Sequence, residues 1–283
     1  MFDRLSRSWE LVKASWSVLR EDKELLVFPL ISSAAMLVVV ACFALPIIGL
    51  GGLDGLGRAV DGNASVGQYA IAFLFYVVQY FVIFYFNAAL VGAAMIRLDG
   101  GDPTVGDGLA VASSKLPSIL GYALIAATVG MVLRAIQERV GFLGKIVVGI
   151  LGTGWSIATY LVVPVLVTRD IGPVEAVKES ALLLKRTWGE NVIGQAGIGF
   201  AFGLIQLGVM AGGIALIVFA ALAHNLPLVI AAIFILVAAV LVTLLIHSAL
   251  SGIYSAALYR YATTNEAIGG FGSDTLRLAF RPK

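Results

Sequence analysis

Residues 228–259 read LVIAAIFILVAAVLVTLLIHSALSGIYSAALY, a run with no Asp, Glu, Lys or Arg. A bilayer core about 30 Å thick is crossed by roughly 20 apolar residues in a helix, so this stretch is long enough to span lipid. Working outward, five more long apolar runs precede it: Leu25–Leu50, Val66–Ile96, Pro117–Ile136, Phe142–Thr168 and Val192–Ala223. All are continuous and far longer than the alternating strands of about 10 residues that build outer-membrane barrels. The expected fold is therefore an all-α membrane protein with six transmembrane helices in a single integral membrane domain, residues 1–283.

Composition agrees, with 60% hydrophobic residues, 13% charged residues and 32 glycines, against about 25% charged in soluble domains. The net charge of +2 gives no reason to expect nucleic acid as a partner. Cys42, alone in the chain, has no partner for a disulfide. The first residues, Met1 to Glu24, are charged and amphipathic and lack a small-residue cleavage site, so they are expected to remain in the mature protein.

Lys and Arg accumulate in cytoplasmic flanks of membrane helices. Fifteen fall in the N-terminal segment, the second linker, the fourth linker and the tail, and four (Arg58, Arg134, Arg139, Lys145) fall on the other side. Both termini are expected in the cytoplasm, and an even number of spans is consistent with their lying on one side.

The linkers carry an internal similarity. Glu10–Leu19, ELVKASWSVL, reappears 165 residues later as Glu175–Leu184, EAVKESALLL. Apolar residues fall at Trp9, Val12, Trp16 and Leu19 in one copy and at Val174, Val177, Ala181, Leu184 and Trp188 in the other, the spacing of an amphipathic helix. A weaker copy follows Pro103, with Val105, Leu109, Ala112 and Leu116. Arg97, Arg169 and Arg260 each close a hairpin. The expectation is three parallel repeats of an interfacial amphipathic helix plus a two-span hairpin, at about 1–100, 101–170 and 171–261, with a cytoplasmic tail at 262–283. Lys13 and Arg20 match Lys178 and Lys185; each pair is two turns apart on its helix, so both are candidates for lipid-headgroup contact in the inner leaflet.

The stretch Ser8–Pro29 (SWELVKASWSVLREDKELLVFP), together with Lys185–Glu190 (KRTWGE) and Ala279–Lys283 (AFRPK), resembles an uncharacterised family of bacterial integral membrane proteins defined only as a domain of unknown function. The resemblance covers essentially the whole chain. More distantly, the helix-plus-hairpin plan is similar to the membrane domain attached to some glycerophosphodiester phosphodiesterases, although no catalytic domain of that type is present. What the resemblance implies is the fold and a location in the bacterial cytoplasmic (inner) membrane; it brings no activity and no site residues.

Chemistry-bearing constellations are sparse. His224, His247 and Cys42 have no metal-ligand spacing, and no cofactor is expected. Ser248 beside His247 points about 100° away on a helix, which is poor geometry for a dyad; an enzyme is not expected. Asp99, Asp102 and Asp107 stand among Gly and Pro, as turns require.

Polar residues inside the spans are costly in lipid and face the bundle or a cavity. The candidates are Gln79 and Asn87 on the second span, Gln195 and Gln206 on the fifth, and His247, Ser251, Tyr254 and Ser255 on the sixth. They read either as a polar path or as interhelical hydrogen-bonding groups. Arg134, with Glu138 four residues on, ends the third span outside. Gly199, Gly203, Gly208 and Gly212 give close-approach motifs on the fifth span, either for packing within the chain or for a homo-oligomer seam.

Two functions follow as expectations, with membrane lipids as the first partner: permeation or transport of a lipid or small amphiphile, or a non-catalytic scaffold. Against the first, no span shows an internal Gly/Pro break or buried carboxylate.

Overall fold

The protein, seen in a computed structural model, is described over residues 2–60, 66–186 and 191–264. Its helices are α1 (Phe2–Glu21), α2 (Val27–Val60), α3 (Val66–Leu98), α4 (Val105–Ser114), α5 (Leu116–Arg139), α6 (Phe142–Ala158), α7 (Val162–Thr168), α8 (Pro173–Arg186), α9 (Asn191–Leu222) and α10 (Leu226–Thr264), with a 3-10 turn at Lys23–Leu26. Among the described residues, six segments are long and apolar enough to cross a membrane: Lys23–Leu45, Ala70–Leu98, Leu116–Arg139, Phe142–Thr168, Ala201–Leu222 and Leu226–Thr264. These are the six runs read from the sequence, and the chain is an all-helical multi-pass membrane protein.

The ends of the helices follow local chemistry. Gly100, at φ 83°, takes the left-handed conformation after α3, and the Gly101 N–H donates to the Ile96 carbonyl at 3.0 Å; only glycine adopts this termination without strain. Thr104 opens α4 with a capping box: its Oγ1 accepts the Asp107 N–H at 3.2 Å and its own N–H donates to the Asp107 carboxylate at 2.9 Å. α5 begins immediately after Lys115, with proline in its first turn, where a missing N–H costs nothing.

Cα packing divides the chain into two compact units: residues 1–26, 94–102 and 187–283, and residues 27–93 and 103–186. In the first, α1 packs on α9 and α10, which pack on each other. In the second, α8 packs on α5, α6 and α7. There α4 lies against α2 and α3: a Cβ at Gly108 would stand 2.5 Å from the Phe28 ring and 2.6 Å from the Ala89 carbonyl oxygen, so only a glycine fits.

The amphipathic faces differ from those read off the sequence. On α1 the buried side chains among the described ones, from residue 12 on, are Val12, Ala14, Ser15, Val18 and Leu19, while Trp16 is 46% exposed. On α8 they are Ala176, Ser180, Leu183 and Leu184, and Val174 is 49% exposed. Buried Gly108 and Ala112 mark the inward face of α4, and Leu116 belongs to α5. The sequence stripe maximised hydrophobicity; the actual face is turned so that a small or hydroxyl residue meets the neighbouring helices. Trp188, Arg277, Arg281 and Lys283 lie outside the described residues, as do the side chains of Trp9 and Gln195.

Candidate functional site

The fourth span is interrupted. α6 ends at Ala158, residues 159–161 form a turn, and α7 resumes at Val162. This corrects the expectation that no span has an internal break. The cause is Pro164, which has no N–H to offer the Tyr160 carbonyl and whose ring crowds it. Backbone groups freed at this depth need protein partners, and α8 supplies them. The Ser180 hydroxyl donates to the Ala158 carbonyl at 2.7 Å and accepts the Leu161 N–H at 3.1 Å, bridging both sides of the gap. Thr159 Oγ1 donates to the Trp155 carbonyl at 2.8 Å and is hydrogen-bonded to Tyr122 of α5. Leu161, Val162, Val163, Val165 and Leu166 are all buried, so the break is enclosed by protein.

α8 is held over this break by contacts at both ends of its first two turns. Pro173 packs on Gly121, where a Cβ would come within 2.7 Å of the ring. Ser118 Oγ donates to the Ile171 carbonyl at 3.3 Å. Arg169 pairs with Glu179 at 2.9 Å and Lys115 pairs with Asp170. Lys178 and Lys185 point to the exposed side, as Lys13 and Arg20 do on α1.

A second polar cluster lies in the other unit, where the ends of α1, α3 and α10 meet. Arg97 donates to the Asp102 carboxylate at 3.3 Å, the Gly101 carbonyl at 3.1 Å and the Glu21 carbonyl at 3.4 Å. Arg260 pairs with Asp99. Asp22, only 5% exposed, has its Oδ2 without a hydrogen-bond partner among the described residues. Burial raises the Asp22 pKa above the ordinary aspartate value, and the Arg97 charge pulls the other way.

The polar stripe residues separate between the units. Gln79 and Asn87 are half-buried on α3 in one; Gln206, His247, Ser251, Tyr254 and Ser255 are in the other. His247 stacks on Phe202 with centroids 4.8 Å apart. Tyr254 is buried, and Ser255 donates to the Gly252 carbonyl of its own helix at 2.8 Å. Among the described residues, a Cβ at Gly199, Gly203, Gly208 or Gly212 would meet nothing within 4 Å, whereas one at Gly213 would press on Leu236 of α10. Arg134 pairs with Glu138 at 3.0 Å and donates to the Tyr76 hydroxyl.

Sequence reading missed Ser180, Thr159, Tyr122 and Asp22. Two signals pointed to the first: Pro164 inside an apolar run marks a break just before it, and the serine shared by both amphipathic copies sits among hydrophobic positions. Among the described residues no group of His, Cys, Asp or Glu is arranged to hold a metal ion. No curated protein matches the chain. Residues 66–270 match the family of unknown function DUF6159, and the chain belongs to that family.

Proposed function

We propose that the protein is a non-enzymatic permeation or transport protein for a lipid or small amphiphile, residing in the bacterial cytoplasmic membrane with both termini inside. The observation that supports this reading is the protein-enclosed break in the fourth span, because discontinuous spans recur in transporters, where they form the substrate and coupling-ion sites. Lys13, Arg20, Lys178 and Lys185, exposed on two amphipathic helices, suit anionic headgroups. Flux of fluorescent lipids and small amphiphiles into liposomes carrying the purified protein tests it. Transport is expected for the wild type and a loss for Pro164→Leu, which lets α6 and α7 join. An absence of flux across several substrates overturns the reading.

The repeat is part of the same proposal, in a cyclic form. Ala89 lies eight residues before Arg97 and is met by Gly108, eleven residues after it. Leu161 lies eight residues before Arg169 and is met by Ser180, eleven residues after it. Each amphipathic helix thus packs on the hairpin that precedes it, and α1, which packs on α9 and α10, serves the last hairpin. The resemblance to the membrane domain of glycerophosphodiester phosphodiesterases rests on this plan alone.

A scaffold built as a homo-oligomer is the second reading. It is favoured by two glycine pairs on roughly opposite sides of α9, Gly199 with Gly203 and Gly208 with Gly212, where an added Cβ meets nothing within 4 Å among the described residues and another helix could approach closely.

A further inference from the structure

In the cyclic register, the third hairpin has positions equivalent to the capped residue, the proline and the capping serine of the break in the fourth span, with Leu250 in place of Thr159. Gly252 lies eight residues before Arg260, as Leu161 does before Arg169. Ser255 lies five before Arg260, at the place of Pro164. Ser15 matches Ser180 in the amphipathic repeat, and both are 0% exposed. Yet α10 runs unbroken from Leu226 to Thr264. Here the Ser15 hydroxyl, buried where α1 packs on α9 and α10, has no hydrogen-bond partner among the described residues.

A buried hydroxyl without a partner costs free energy in the state that buries it and calls for an explanation, such as a second state in which it is bonded. The local chemistry of α10 supplies such a state. Gly252 is, after proline, the residue type least favourable in a helix interior. Ser255 Oγ donates to the Gly252 carbonyl, a back-bond that weakens and bends helices. The surrounding residues Ala249, Leu250, Ile253 and Tyr254 are buried, so an opening here would be enclosed by protein just as at residues 159–161.

We propose that α10 carries a latent break at Gly252 and that Ser15 is held ready to cap it, bridging the Ala249 carbonyl and the Gly252 N–H as Ser180 bridges Ala158 and Leu161. The inference rests on the cyclic repeat and goes beyond it. The two hairpins then differ in state: one is fixed open by proline, the other opens and closes through glycine. It gives the protein a conformational device whether or not a substrate is carried.

Amide hydrogen–deuterium exchange of the full chain in phosphatidylethanolamine–phosphatidylglycerol nanodiscs tests this. In the wild type, residues 249–253 should exchange about tenfold faster than flanking α10 segments at 236–246 and 256–260, a factor set by the one or two hydrogen bonds the cap supplies to the open state. Ser15→Ala should slow them to the flanking rate, and Gly252→Ala should do the same by favouring the helix. Ser15→Ala should leave the melting temperature unchanged or higher. The proposal is overturned if 249–253 is as protected as its flanks in the wild type, if Ser15→Ala leaves exchange unchanged or faster, or if it lowers the melting temperature. A permuted chain, with residue 283 joined to residue 1 and new ends between 102 and 103, tests the repeat separately. If it folds while exchange in α10 is flat, only the latent break is lost; if it fails to insert and melt cooperatively, the cyclic repeat itself is wrong.

Discussion

Ser180 on α8 accepts the N–H of Leu161 at 3.1 Å, so a helix with a charged outer face completes the backbone of a transmembrane span. Ser180→Ala leaves the Leu161 N–H and the Ala158 carbonyl without this partner. At about 1–3 kcal/mol for each of the two orphaned buried groups, the variant should lose roughly 2–6 kcal/mol. Thermal unfolding in detergent measures this; an unchanged melting temperature would mean that the break is satisfied by other groups.

Glycines on different helices should respond oppositely to substitution. Gly108→Leu drives a side chain into Phe28 and the Ala89 carbonyl, and should prevent α4 from seating, with a loss of several kcal/mol. Gly203→Ala meets open space and should stabilise a monomer by up to about 1 kcal/mol through helix propensity. Melting together with light scattering separates the cases, since destabilisation by Gly203→Ala with a loss of oligomer would reveal a seam.

Asp22 predicts a pH dependence. Its folded pKa is raised above 3.8, mainly by burial, so the neutral form favours the fold. The stability it contributes is fully present below the ordinary aspartate range near 4 and is lost as pH rises through the raised folded value. Asp22→Asn keeps the side chain neutral and should remove that part of the slope, leaving the variant more stable than the wild type at pH 8. Urea or thermal melts between pH 4 and pH 8 read it out. A variant less stable than the wild type at pH 8 would show that ionised Asp22 is needed to hold Arg97.

Neutralising Lys13, Arg20, Lys178 and Lys185 to Gln should abolish stabilisation by anionic lipid, worth about 1 kcal/mol per basic residue near the surface. Reporter fusions after residues 100, 170 and 283 should report cytoplasm, and those near 60, 141 and 225 the outside, in both versions. If the lipid dependence persists in the neutral variant, the four charges serve only to orient insertion.

Runs such as residues 228–259 determined by themselves that the chain is helical and membrane-spanning, because lipid offers the backbone no hydrogen bonds and a helix supplies nearly all of them internally, and length then follows from bilayer thickness. The similarity of Glu10–Leu19 to Glu175–Leu184 was equally legible, since amphipathic spacing is local. Which face of those helices turns inward was not. Hydrophobicity favoured Trp16 and Val174, but burial went to Ser15, Ser180 and their neighbours. Buried Ser180 is satisfied by unpaired backbone groups of another segment, and that partner, the gap before Pro164, lies 19 to 22 residues away in sequence. The same holds for Asp22 and Arg97. Their charges are plain in the sequence, but their burial together depends on the helix ends that tertiary packing brings around them.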